Sequence, residues 1–154
     1  MSSGSIESIA RAIHERWRSE QISAGKSAPS WDELDESRKE SSRDHARDIP
    51  AKLHLVGCDI APLRERGSKD FAFTDEEVET MAAAEHLRWM RERVADGWTA
   101  GEKDVTRKTT PYLVPFEQLP ADVAEYDRIF VREIPGLLVL AGLEVARPRP
   151  RGGP

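Results

Sequence analysis

The feature of this sequence that most constrains its fold is an internal repeat. A shift of 72 residues places residues 10–25 on residues 82–97 without a gap, and the identical positions include a histidine, an arginine, a tryptophan and a glycine. A shift of 85 residues places 34–57 on 119–142, again without a gap. Self-similarity at a fixed offset indicates that one structural unit has been used twice.

The repeat sets the predicted domain organisation. The two copies span residues 6–62 and 76–147, with a linker at 61–75 and a flexible tail at 148–154. The shifts differ by 85 − 72 = 13 residues, so the second copy carries 13 extra residues, and these fall within 97–115. Loops carry function more often than the scaffold does, so this asymmetry is where we look for specificity.

Each copy is predicted to open with a helix that stops at a glycine. In the first copy, apolar residues recur at helical spacing over 6–17, ahead of Gly25. In the second copy, Thr74 and Glu77 form a capping box for a helix that stops at Gly97. The histidine and tryptophan of each helix are three residues apart, which places them on the same side of the helix.

The second block of each copy is also predicted to be helical, starting at Asp35 and at Pro120. Pro50 and Pro135 are expected to impose a kink or a restart, because proline removes a backbone donor and disfavours helix in the preceding residue. The segment 98–115 has no helical period and predicts a long ordered loop or short strands. The residues that end the copies are predicted to be extended, at 59–60 and 144–145.

Composition excludes several classes of protein. Hydrophobic residues make up 38% and the net charge is −5, so we expect a folded chain with a lean core and no nucleic-acid partner. Cys58 is the single cysteine, which rules out an internal disulfide framework and favours a reducing compartment. The most apolar stretch, 134–143, is about half a membrane span long, and the N-terminus lacks the features of a signal peptide. We therefore expect a cytoplasmic protein with no membrane partner, no metal site and no cofactor.

The second copy carries five short motifs, in this order: Glu85-His-Leu-Arg-Trp89, Gly97-Trp-Thr-Ala-Gly101, Lys108-Thr-Thr-Pro111, Leu113-Val-Pro-Phe116 and Tyr126-Asp-Arg128. Together they resemble the RyR domain, the repeat named after ryanodine receptors. The first copy keeps the His-x-x-Trp pair and the second helix but lacks the long loop. It resembles a degenerate partner copy. We expect the protein to be a family member of the bacterial or phage type.

The resemblance implies a fold and a class of ligand. The implied fold is mainly α with short extended segments, in which two pseudo-symmetric RyR-like repeats pack as one compact unit. It also implies an adenine nucleotide or aromatic ligand between paired repeats, at the His-x-x-Trp positions, and a role in prokaryotic nucleotide-centred signalling. Ala100 and Thr110 stand where the family usually has tyrosine and histidine, so we expect the ligand to differ.

The candidate ligand-binding residues are the two His-x-x-Trp pairs and three residues of the second copy: His14, Trp17, His86, Trp89, Arg93, Lys108 and Tyr112. The indoles could stack on a flat base, or they could be core side chains of two small units. The cations Arg93 and Lys108 could bind a phosphate. Tyr112 could edge the pocket or anchor the loop.

The sequence favours a small-ligand-binding module, a sensor or sequestering protein for a nucleotide-derived aromatic molecule held between the repeats. The alternative is a protein-interaction adaptor in which the tryptophans are structural. Solvent-exposed indoles would favour ligand binding, and uniformly buried indoles would favour the adaptor. No nucleophile, base and orienting group form a catalytic signature, so we expect no enzyme activity.

Overall fold

The computed structural model describes residues 1–64 and 71–147, and these are mainly helical with a few short strands. The predicted mainly α class with short extended segments is confirmed. The chain forms two compact units, Met1–Ala72 with Ile134–Pro154, and Phe73–Glu133. Residues 65–70 of the predicted linker and the whole predicted tail, residues 148–154, lie outside the described residues.

The first unit contains all the elements of the first copy and the end of the second. In chain order these are helix α1 (Ser3–Ser23), a 3₁₀ turn (Trp31–Glu33), α2 (Glu36–Arg47), α3 (Ile49–Leu55), strand β1 (Asp59–Pro62), the last residues of α5 (Ala121–Leu140, which begins in the second unit) and β4 (Leu143–Ala146). Helix α1 packs against α2. Among the fully buried side chains are Ile9, Ile49, Leu53, Leu137 and Leu138.

The second unit holds the long helix and the loop of the second copy. Its elements are α4 (Asp75–Ala95), β2 (Thr99–Ala100), β3 (Thr109–Thr110), a 3₁₀ turn (Phe116–Gln118) and the first residues of α5. Strands β2 and β3 pair in parallel, so the loop 98–115 contains short strands, one of the two predicted forms. The capping box is present: the Thr74 hydroxyl accepts from the Glu77 amide, and the Glu77 carboxylate accepts from the Thr74 amide.

Helices α1 and α4 are each 21 residues long, and their bounds differ by the 72-residue shift of the sequence repeat. Gly25 and Gly97 follow these helices with φ of 79° and 89°, a left-handed backbone that glycine adopts without steric cost. The predicted glycine stops are therefore present. The packing of two copies about an axis stays a prediction.

Two strands from the ends of the copies pair within the first unit. Strand β1 runs antiparallel to β4, with Ile60 opposite Val145 and Asp59 opposite Ala146. Ile60 and Val145 are also the residues that the 85-residue shift aligns. The sequence predicted extended backbone at these positions, and the structure adds that they bond to each other.

The two matched prolines have different effects. In the first copy the helix stops at Arg47 and restarts as α3, with Pro50 in its first turn, where its missing donor costs little. In the second copy α5 runs continuously through Pro135, so the predicted restart is absent there. Ile134 and Leu138 on either side of Pro135 are fully buried, and this packing holds the helix despite one lost backbone hydrogen bond.

A network of ion pairs recurs at matched positions in the two units. In the first, Arg43 donates from Nε to Glu7 at 2.7 Å, and Glu40 accepts from Arg43 and Arg47. In the second, Arg128 donates to Glu79 and Glu125, and Arg132 donates to Glu125, at the positions that the sequence shifts align. The bond from Arg43 lowers the pKa of Glu7, and bonds chiefly from Arg47 and Arg132 lower the pKa of Glu40 and Glu125.

These networks predict acid-sensitive stability. A carboxylate with a lowered pKa in the folded state stabilises the fold above its unfolded pKa, and that stability is lost as the pH falls through the folded value. We expect the melting temperature to fall from about pH 5 downward. The double variant Arg43→Gln, Arg128→Gln should show a weaker dependence, whereas Arg38→Gln, an exposed arginine of α2, should melt like the wild type at each pH. Identical pH profiles for all three proteins would contradict this assignment.

Candidate functional site

His86 is fixed on α4 by its ring nitrogens. It is 3% exposed, and its Nε2 donates a hydrogen bond of 2.7 Å to the carbonyl oxygen of Val114. A carbonyl only accepts, so Nε2 carries hydrogen. The other ring nitrogen, Nδ1, lies 3.9 Å from the Asp127 carboxylate. The hydrogen bond to the loop thus sets the orientation of this imidazole, and a carboxylate of helix α5 lies nearby.

Trp89 stacks on His86. The ring centroids are 5.6 Å apart with an interplanar angle of 18°, as expected for residues three apart on one helix. Phe116, in the 3₁₀ turn, lies 6.3 Å from the imidazole at a steep tilt. Trp89 itself is partly exposed. The pair therefore presents a flat indole whose orientation is fixed by a hydrogen-bonded neighbour.

Arg93 lies one turn further along α4 and contacts two indoles. Its guanidinium carbon is 5.4 Å from the ring centroid of Trp89 and 5.2 Å from that of Trp98. Both distances are within cation–π range, an interaction worth about 0.5–2 kcal/mol per pair. Three side chains, Trp89, Arg93 and Trp98, form what we call the indole–arginine cluster.

Trp98 holds the start of the loop against the end of α4. Its amide donates to the carbonyl of Arg93 at 2.9 Å. Its indole Nε1 is buried and has no hydrogen-bond acceptor among the residues that the structure describes. A buried donor without an acceptor costs about 1–3 kcal/mol. The sequence places Trp98 directly after the helix-ending Gly97 but gives no sign that it contacts Arg93.

Lys108 also ties the loop to the end of α4. Its Nζ donates to the carbonyl oxygen of Asp96 at 2.9 Å and lies 3.6 Å from the Asp96 carboxylate. Lysine near the C-terminus of a helix satisfies a carbonyl that has no partner within the helix. Lys108 has a φ of 55°, so its backbone is in the left-handed region that a non-glycine residue adopts at a small steric cost.

Tyr112 lies in the same loop, where its amide donates to the Thr110 hydroxyl at 3.3 Å. Thr110 is buried, whereas the Tyr112 side chain is partly exposed. Within the described chain, Tyr112 forms no hydrogen bond or ring contact with the indole–arginine cluster. Its predicted role at the edge of a pocket stays a prediction.

The first unit has a similar His–Trp pair. His14 Nε2 donates to the carbonyl of Pro29 at 2.8 Å, and the His14 and Trp17 rings are 5.5 Å apart at 37°. Trp17 is 47% exposed. The 72-residue shift aligns Gln21 with Arg93, and Trp98 lies just beyond the aligned block, in the longer loop of the second copy, so the indole–arginine cluster belongs to the second copy.

Arg88, beside Trp89, is committed to neighbouring carboxylates. It donates to both carboxylate oxygens of Glu85 and to Glu92. Burial lowers the pKa of Arg88, but the bonds to Glu85 and Glu92 outweigh burial, so its pKa is raised overall. Arg88 therefore forms its ion pairs within its own helix, α4.

Two features are absent from residues 1–64 and 71–147, a metal-binding cluster and a membrane-spanning helix. No three histidine, cysteine, aspartate or glutamate side chains are grouped so that they could hold a metal ion. None of the helices in these ranges has the length and apolar character needed to cross a membrane.

Comparison with known proteins identifies the second copy. No curated protein matches the chain. The family model of the RyR domain matches residues 73–147, a range that contains α4, the loop, α5 and β4. The membership of the first copy stays a prediction. Residues 73–147 are therefore a domain of the RyR family.

Proposed function

We propose that this protein is a non-catalytic module that binds a small, nucleotide-derived aromatic ligand. The observation that carries the proposal is the ordered face of Trp89, stacked on a hydrogen-bonded histidine and next to the cation of Arg93. Stacking of a base on an aromatic side chain is worth about 1–3 kcal/mol. The flat base of a nucleotide would stack on the indole, and the phosphate of the same nucleotide would bind a nearby cation.

The fixed geometry of the pair supports a binding role over simple packing. His86 is nearly fully buried, yet both its ring nitrogens face polar groups, Val114 and Asp127. This arrangement restricts the rotation of the imidazole, and the stacked indole is restricted with it. A side chain already held in its binding conformation loses less entropy when the ligand arrives.

The proposed setting is the cytoplasm of a prokaryote, where the module would sense or sequester a signalling nucleotide. The absence of a catalytic signature in the sequence supports binding without turnover. His86 is the residue of this site that acid–base chemistry would require, but it is only 3% exposed and its Nε2 is bonded to a backbone carbonyl. A general base must lie within hydrogen-bond reach of the substrate proton, and burial of the imidazole keeps a substrate away from it.

A second candidate function is a protein-interaction adaptor. Two apolar side chains of α4, Leu87 and Val94, are 44% and 60% exposed. They are seven residues apart and therefore share one side of the helix. Single exposed apolar residues are normal on protein surfaces, so this observation is weaker than the ordered indole.

A thermal-shift screen tests the proposal. The full chain is heated with nucleotides, dinucleotides and cyclic oligonucleotides, each with its nucleoside or phosphate alone as the control. A ligand at 100 times its dissociation constant adds about 2.7 kcal/mol of stability, so the melting temperature should rise by several degrees. No shift with any aromatic compound would overturn the proposal and favour the adaptor.

A further inference from the structure

The cations of the second unit fall into two groups. Most lie within 4.0 Å of a carboxylate, namely Arg88, Arg107, Lys108, Arg128 and Arg132. The other three, Arg91, Arg93 and Lys103, have no carboxylate within that distance among the described residues. Arg91 and Lys103 are exposed to solvent, whereas Arg93 is partly buried.

Arg93 is therefore a cation covered by aromatic rings rather than neutralised by an acid. Its guanidinium lies against the indoles of Trp89 and Trp98. The five N–H donors of a guanidinium lie in its plane and match two oxygens of a phosphate at once. Aromatic rings exclude water without satisfying those donors, and a charge–charge contact is stronger where water is excluded.

The first copy lacks this arrangement. The residue aligned with Arg93 is the neutral Gln21, and Trp98 belongs to the longer loop of the second copy, beyond the aligned block. The His–Trp pair occurs in both copies, so stacking alone does not explain why the second copy carries an arginine and an additional indole at the end of its helix. A ligand with a charged group next to its base would use both.

We infer that Arg93 is the residue that recognises the phosphate of the ligand, and that Lys108 positions the loop instead. This inference rests on the proposed function, because it assigns the charge recognition of the same site. Lys108 already donates to the carbonyl of Asp96 and pairs with its carboxylate. The buried Nε1–H of Trp98 is a second donor in the cluster, which a phosphate oxygen or a bridging water can satisfy.

The test compares matched nucleosides and nucleotides. Calorimetry at fixed salt gives the affinities of adenosine, AMP, guanosine and GMP for the wild type, Arg93→Gln and Arg93→Lys. The glutamine is the residue of the first copy. Arg91→Gln, an exposed arginine on the same helix, is the matched control for net charge.

We expect the wild type and Arg91→Gln to bind at least one nucleotide about tenfold or more tightly than its nucleoside. Arg93→Gln should reduce that ratio to roughly 1, and Arg93→Lys should restore part of it, since lysine keeps the charge without the planar fork. The ratio cancels any loss of stacking that the substitution causes. Equal losses for nucleoside and nucleotide, or a ratio lowered as much by Arg91→Gln, would overturn the inference.

Titration with inorganic pyrophosphate separates this inference from the proposed function. The indole N–H signal of Trp98, followed by ¹⁵N NMR, should shift in the wild type and not in Arg93→Gln. A shift with pyrophosphate but no binding of any nucleoside or nucleotide would sink the proposed aromatic ligand and retain the anion site. Binding of nucleoside and nucleotide with equal affinity would overturn the phosphate site and retain the proposed aromatic ligand.

Discussion

Residues 73–154 expressed alone are expected not to fold cooperatively, although they contain the whole RyR domain match. The end of this segment, from Ile134 onward, belongs to the unit formed with Met1–Ala72. In the isolated segment β4 would lose β1, the strand with which it forms its antiparallel ladder. The backbone groups of β4 would then be an open edge.

The apolar side chains in this region increase the cost. Ile134, Leu137 and Leu138 are fully buried in the complete chain. Exposing a buried leucine or isoleucine to water costs about 1.5–3 kcal/mol, and net stabilities are only about 5–15 kcal/mol. A segment of this size has a small core of its own, so the loss of three such contacts is enough to prevent a stable fold.

Thermal unfolding followed by near-ultraviolet circular dichroism gives the readout. The segment should show a broad, non-cooperative change, and the full chain should show a sharp one. Co-expression with residues 1–72 is the control, because it restores β1 without a covalent link and should restore the sharp transition. A sharp, native-like melt of residues 73–154 alone would show that the two copies are independent.

Local patterns in the sequence were sufficient to predict where several of the helices begin and end. The capping box at Thr74, the N-cap at Asp35 and the glycine stops act over one helical turn, so they can be read from neighbouring residues. The different effects of Pro50 and Pro135 could not be predicted this way. Whether a helix tolerates a proline depends on packing of the flanking residues, which comes from distant parts of the chain.

The pairing of β1 with β4 also could not be predicted from the sequence. Extended backbone was predicted at 59–60 and 144–145, but nothing local indicates that these segments bond to each other. The division into compact units could not be predicted from the repeat either. The copies end at 62 and 147, whereas the first compact unit also includes the chain from Ile134 onward. Sequence similarity shows which segments are duplicated, but it does not show which segments pack together.

The candidate site was predictable in part. Helical spacing correctly placed His86, Trp89 and Arg93 near one another, because residues three or four apart on a helix are neighbours. The contact of Trp98 with Arg93 and that of Lys108 with Asp96 depend on how the loop folds back. The one available signal was that Gly97 ends the helix and reverses the chain immediately before Trp98.

Replacing Trp89 with alanine is expected to weaken binding of the nucleotide found in the screen by about 1–3 kcal/mol, roughly tenfold or more. The substitution removes the stacking face and one of the two rings that cover Arg93. Trp17→Ala is the matched variant, since Trp17 also lies beside a histidine but has Gln21 where Trp89 has Arg93. We expect the smaller loss from Trp17→Ala.

Trp89→Phe distinguishes loss of stacking from loss of fold. Phenylalanine keeps an aromatic face, so this variant should recover most of the affinity that Trp89→Ala loses. If the loss came from damaged packing instead, restoring an aromatic ring would not restore the affinity. Each protein must first show the cooperative melt of the wild type, and calorimetry then gives the affinity. If a folded Trp89→Ala binds the nucleotide as tightly as the wild type, the indole of Trp89 is a packing residue and the binding site lies elsewhere.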